Sequence, residues 1–295
     1  MKNYDLPLTQ GWMFHYGEAK RFAGKTHSDI YNACKAGGRL GNADTFLTEN
    51  DWQAVTLPHD WCAALPYDPE APSSNGHKTR GCGWYHLRFP LPEDPIENAN
   101  LVFEGVLGET AVYVNGVIAG RNFSGYNRFS CDVSPYLNPG AENLIALRVD
   151  ASFPEGWSYE GAGLYRPVRI ELRGETFLDG YGSFLRSEMH EGAWSAAADI
   201  RISGPTEGFT LLSRLEAPDG TVIAETEQPA ENSVQVSIPM ASPRLWTPET
   251  PVLYRYTCTL MKDGVPADTW STSIGFRSVE WEKDAGMHEE FPNDG

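Results

Sequence analysis

The sequence predicts an all-β chain made of two antiparallel β-sandwiches in series. Two observations carry this. Short apolar runs recur along the chain, and turn-forming Gly, Pro, Asn and Asp separate them; helical periodicity is scarce. Glycine (29) and proline (21) are plentiful and aromatic residues reach 12%, the mix expected of many turns and pleated, half-buried strands. A length of 295 residues accommodates two domains of ordinary size.

The first set of strands occupies the chain before about residue 175. Trp84–Phe89, Leu101–Phe103, Ala111–Val114, Leu144–Val149 and Val168–Leu172 each read as a strand. Asn115-Gly116 sits between two apolar runs. Both residues accept positive φ, so the pair predicts a hairpin turn. Ser28–Lys35 is the best helical stretch, and it is short. Arg173–Ser187 reads as the link between domains.

The second set comprises Ala197–Ile202, Thr210–Glu216, Thr221–Glu227, Ser233–Ile238, Tyr254–Met261 and Trp270–Phe276. Pro218-Asp219-Gly220 and Lys262-Asp263-Gly264 supply turns between them. About seven short strands in ~100 residues is the rhythm of an immunoglobulin-like sandwich. From Val279 to Gly295 the chain is charged and turn-rich, and it reads as a poorly ordered tail.

A net charge of −17 repels phosphate backbones and anionic lipid, which argues against nucleic acid and membrane surfaces as partners. No apolar run approaches the ~20 residues of a spanning helix. Met1–Gln10 has no apolar signal core, so the expected location is cytoplasmic. The cysteines stand at 34, 62, 82, 131 and 258, an odd count with no Cys-x-x-Cys pair. They read as buried thiols, with a Cys62–Cys82 bridge as the one alternative.

Several segments then combine in a recognisable order. Leu57-Pro58-His59-Asp60-Trp61 precedes a long loop, and Gly83-Trp84-Tyr85 opens the strand after it. Val114-Asn115-Gly116 follows, then Glu155-Gly156-Trp157-Ser158-Tyr159-Glu160-Gly161-Ala162-Gly163-Leu164-Tyr165-Arg166-Pro167-Val168. Pro243-Arg244-Leu245-Trp246-Thr247-Pro248 and Ile274-Gly275-Phe276-Arg277 complete the series. From roughly Leu8 to Trp281 the chain resembles the amino-terminal half of glycoside hydrolase family 2, the family of bacterial β-galactosidases, β-glucuronidases and β-mannosidases. The variant around Trp157 looks nearest to members called β-galactosidases.

The resemblance implies a jelly-roll-like sandwich of the galactose-binding type over 1–174 and an immunoglobulin-like sandwich over 175–278. The tail 279–295 would lead toward a (β/α)8 barrel. In the family that barrel carries two glutamates, the acid/base and the nucleophile of retaining hydrolysis. A barrel takes ~250 residues, so the chain reads as a truncated protein or a natural fragment. No catalytic residue is expected within it, and on its own it should be inactive. Its partners would be carbohydrate, bound weakly, the barrel of the same polypeptide, and a second protomer. A self-sufficient carbohydrate-binding module and a structural assembly module are the rival readings.

Two loops hold the candidate substrate-rim residues. One is the stretch with Trp157, Tyr159 and Glu160, where rings could stack on a sugar and a carboxylate could accept its hydroxyl protons. The rival role for Trp157 is packing against the barrel or another protomer. The other is the long polar loop Asp68–Cys82, with Asn75, His77 and Lys78. Three residues are expected to be structural. Arg166, held extended by Pro167, would pair with Asp60 or Asp150. Trp246 would be a buried ring closing the second sandwich. His59, Asp60, His77 and Cys82 suit zinc by type, but their spacing fits no ligand pair, so no metal centre is expected. A Ca2+ or Na+ held by loop carboxylates and carbonyls is the cofactor alternative.

Overall fold

The computed structural model describes residues 3–17, 49–153, 156 and 160–278. The helical stretch at Ser28 and the tail from Val279 lie outside them. The chain forms two compact units, Met1–Glu175 and Thr176–Gly295.

The first unit contains two antiparallel sheets. One has six strands in the order β3-β2-β4-β9-β6-β7: Gln53–Val55, Trp12–Tyr16, Cys82–Pro90, Glu142–Asp150, Glu109–Val114 and Val117–Asn122. The other has four in the order β1-β10-β5-β8: Tyr4–Pro7, Val168–Arg173, Asn98–Phe103 and Phe129–Asp132. Alternation within strands brings Trp12, Tyr85, Leu87, Val112, Leu147 and Val149 from the first sheet against Leu101, Phe103, Ile170 and Leu172 from the second, forming one core. Each such side chain contributes roughly 1.5–3 kcal/mol by leaving water. β9 is buried on both faces, because Trp84, Leu144 and Ala146 pack with Trp52 and Tyr113 on the outer side.

Asn115-Gly116 makes the expected hairpin turn between β6 and β7, with φ of 48° and 87°. The Asn115 amide donates to the Tyr136 carbonyl at 2.7 Å and to the Asn143 Oδ1 at 2.9 Å, and its own Oδ1 accepts from the Leu144 N–H at 2.9 Å. The turn is thereby tied to β9.

The second unit has a three-stranded sheet, β11-β12-β15 (Phe177–His190, Ala193–Ser203, Ser233–Met240), and a four-stranded sheet, β14-β13-β16-β17 (Val222–Pro229, Phe209–Glu216, Tyr254–Lys262, Val265–Ile274). Leu178, Ile200, Val236 and Ile238 meet Leu211, Leu215, Tyr256 and Leu260 between them. This is the immunoglobulin-like arrangement that the strand rhythm predicts.

One element departs from the sequence reading. Residues 177–187, which read as part of a linker, belong to the 14-residue strand β11. Gly180 and Gly182 break the apolar alternation. The ladder with β12 shifts register between Asp179 and Phe184, a bulge that hides the strand's period of two.

Candidate functional site

The motifs of the first unit converge. Asp60 caps the single turn α1 (Trp61–Ala64), its Oδ1 accepting from the Cys62 N–H at 2.9 Å. The same oxygen accepts from the Ala162 N–H at 2.9 Å. Backbone bonds from His59 N–H to the Leu164 carbonyl (2.8 Å) and from Trp61 N–H to the Ala162 carbonyl (3.2 Å) lay the two segments side by side. The small residues are required by this approach. A Cβ on Gly161 would fall 2.3 Å from Asp60 Oδ2, and one on Gly163, at φ +101°, would fall 2.3 Å from the Tyr85 hydroxyl. Beneath the junction, Trp61 stacks on Phe14 at 5.3 Å and donates from Nε1 to the Arg80 carbonyl at 2.6 Å. His59 Nδ1 lies 2.7 Å from the Tyr85 hydroxyl. Burial raises the Tyr85 phenol well above its ordinary pKa and lowers that of His59.

Beside this junction is a buried ion pair. Arg80 Nη1 donates to Glu160 Oε2 at 2.7 Å, with the two side chains 1% and 0% exposed. The Tyr126 hydroxyl donates to Glu160 Oε1 at 2.7 Å. Arg80 Nε and Nη2 have no partner among the described residues. Glu160 is therefore not the open rim carboxylate that the sequence suggests. Both its oxygens are engaged and it is out of water, so its role here is to tie the loops of Arg80 and Tyr126 together. Trp157 and Tyr159 lie outside the described residues.

The loop Asp68–Cys82 closes on itself. Asp68 accepts from the Glu70 N–H at 3.0 Å and from the Thr79 hydroxyl at 3.2 Å, and its own N–H donates to the His77 carbonyl at 2.7 Å. Asn75 ends a 3-10 turn, Ser73–Asn75. His77 is exposed at φ 57°, with Nδ1 3.2 Å from the Ala71 carbonyl. Lys78 reaches inward: its Nζ donates to the Cys62 and Ala63 carbonyls at 3.0 Å each, closing the carbonyl end of α1. Two adjoining hollows flank the loop. One, about 340 Å3, is bordered by Glu70, Lys78, Arg80 and Ser152; the other, about 390 Å3, by Tyr16, Tyr67 and Pro69. Asp68 and Thr79 border both.

Other expectations are corrected. Arg166 is exposed and sits over the Tyr165 ring at 5.3 Å, with no ion pair to Asp60 or Asp150. Asp60 is occupied by backbone N–H groups, and Asp150 pairs with Arg148 at 3.0 Å. Cys62 and Cys82 are both buried thiols and no disulfide joins them. Among the described residues no three of His, Cys, Asp and Glu gather as a metal site.

In the second unit Trp246 is only half-buried. It lies against Gly275, where a Cβ would come within 3.0 Å of its ring. The Trp246 N–H donates to the Phe276 carbonyl at 2.9 Å, and the Arg277 guanidinium lies over the ring at 4.7 Å. The ring clamps the Gly275–Arg277 segment from the side instead of filling the core, where Phe276 and Tyr254 meet at 5.1 Å. Arg80, Tyr126, Tyr16 and Tyr67 do not stand out in the sequence. Tyr67 directly precedes the long polar loop, which is the signal that could have found it; nothing in the sequence links Tyr16 to that loop.

Comparisons with known proteins agree with this geometry. Residues 25–170 match the family 2 glycosyl hydrolase sugar-binding domain and residues 184–277 match the glycosyl hydrolases family 2 model. A β-galactosidase of Bacteroides ovatus is 29% identical over 265 residues, covering 85% of this chain and 31% of its own length. A putative β-glucuronidase of Formosa agariphila is 29% identical over 249 residues, covering 82% of this chain and 24% of its own. The crystal structure of a β-glycosidase from Bacteroides vulgatus superposes with a TM-score of 0.77 at 26% identity, over 94% of this chain and 34% of that one. The chain thus spans about a third or less of these relatives. With both models matched in order on two β-sandwiches, the chain belongs to glycosyl hydrolase family 2, of which it carries the sugar-binding and immunoglobulin-like domains.

Proposed function

We propose that this chain is the non-catalytic amino-terminal part of a retaining β-glycosidase acting on β-galactosides or related β-glycosides. The observation that carries the reading is the extent of the match: both family models lie on this chain, while most of each relative lies beyond it. The two acidic residues built into the motif junction support it. Asp60 and Glu160 are engaged by backbone N–H groups, Arg80 and Tyr126, and neither is free to act on a substrate. The chain's role is to frame the substrate pocket from outside and to contact the catalytic barrel and a second protomer. Asn75, His77, Trp157 and Tyr159 are the rim candidates.

The test is an assay of the purified 295-residue chain on aryl β-galactosides and aryl β-glucuronides. No turnover is expected. Turnover that disappears when one of the chain's own carboxylates is replaced would overturn the reading.

A further inference from the structure

The two hollows beside the Asp68–Cys82 loop adjoin, sharing Asp68 and Thr79 as a common wall. Their linings differ in chemistry. The hollow toward Tyr16 has two exposed rings, Tyr16 at 42% and Tyr67 at 77%. The hollow toward Ser152 is bordered by polar side chains, among them Glu70, Lys78 and Thr79. Flat rings next to hydroxyl and carboxylate groups are what a pyranose needs, because one face of the sugar is apolar and its edge carries hydroxyls.

The rings are also held in advance. Tyr16 donates from its hydroxyl to the Thr79 carbonyl at 3.3 Å. Tyr67 has the Lys78 ammonium 5.1 Å from its ring centre, and that ammonium is itself fixed by two carbonyls of α1. A ligand therefore meets rings that need little ordering, which lowers the entropic cost of binding.

Charge selects among sugars. Asp68 and Glu70 border the polar hollow together with Lys78, which two neutral carbonyls hold without cancelling its charge, and Arg80, which is buried and paired with Glu160, so the lining keeps a single negative charge in excess. A uronate carboxylate would meet that excess, whereas a neutral sugar meets two acceptors for its hydroxyls. We infer that this double hollow is a binding subsite for a neutral β-linked disaccharide unit, one ring over Tyr16 and Tyr67 and the next along Asp68, Glu70 and Thr79. The inference takes only its ligand class, carbohydrate, from the function proposed above.

The experiment is titration of the whole chain with lactose, cellobiose and free glucuronic acid, followed by amide chemical shifts and intrinsic fluorescence. Saturable binding of a neutral disaccharide in the millimolar range is expected, with glucuronic acid at least about tenfold weaker. Tyr67→Ala should weaken disaccharide binding about tenfold. This ring is largely exposed, so circular dichroism should be unchanged. Thr79→Val should weaken binding by a smaller factor, and Tyr181→Ala in the second unit should leave it unchanged. Absence of saturable disaccharide binding, binding that ignores Tyr67→Ala, or a preference for glucuronic acid would each overturn the inference. None of these outcomes bears on the inactivity of the chain, so the two tests fail separately.

Discussion

Arg80 and Glu160 form an ion pair of 2.7 Å with both side chains excluded from water, across 80 residues of sequence. Such a pair is a poor source of net stability, since desolvation offsets most of the attraction, but removing one partner leaves a bare buried charge. Arg80→Ala and Glu160→Ala should each destabilise the first unit by about 3–5 kcal/mol. The double replacement Arg80→Met with Glu160→Leu should cost less than either single change. Urea unfolding of the four proteins checks this; additive losses would show that the two groups are not coupled.

Asp60 caps α1 and holds the Ala162 N–H with one oxygen. Asp60→Ala should cost roughly 0.5–2 kcal/mol for the cap and about 1–3 kcal/mol for the orphaned N–H. Asp60→Asn keeps an acceptor oxygen and should recover most of the loss. Thermal unfolding that fails to separate Asn from Ala would show that the junction does not depend on this oxygen.

Gly163→Ala forces a Cβ into the Tyr85 hydroxyl at a φ that L-residues rarely adopt. It should destabilise by at least the ~1–3 kcal/mol typical of overpacking. A wild-type denaturation midpoint would contradict the close approach of the two motifs.

Trp246→Ala should cost about 2 kcal/mol, below the ~3–5 kcal/mol of a fully buried aromatic, because the ring is half-buried. The loss should fall on the second unit alone. Its signature in amide exchange is faster opening around Gly275 and Arg277.

Burial pushes the thiols of Cys62 and Cys258 up to about 12 and that of Cys131 to about 11. A folded pKa above the unfolded value gives a contribution fully present below about 9, the ordinary thiol value. It is lost as pH rises through the folded values, since the unfolded chain deprotonates first. Stability should therefore fall between about pH 9 and pH 12. Cys62, Cys82, Cys131 and Cys258 should resist a thiol reagent at pH 8 until denaturant is added.

Local chemistry is legible in the sequence and tertiary partnership is not. The Asn115-Gly116 hairpin can be read because two adjacent residues determine it. The strands of the second unit can be read from alternation, which holds wherever one face is buried. β11 escapes such a reading because its bulge breaks that alternation. Glu160 reads as a rim residue because nothing near it in sequence shows that Arg80 and Tyr126 will enclose it. Trp246 reads as a core residue because of the strand that follows it, whereas Gly275 and Arg277 hold it at the surface.

The pairing of β1 with β10 sets Tyr4 opposite Leu172. A chain emerging from a ribosome in order releases β1 near the start and cannot pair it until residue 172 has appeared. Until then the edge of β5 that β10 takes has no partner strand, and β1 has none either. The four-stranded sheet is thus completed only by contacts far apart in the chain, the circumstance in which folding is slow.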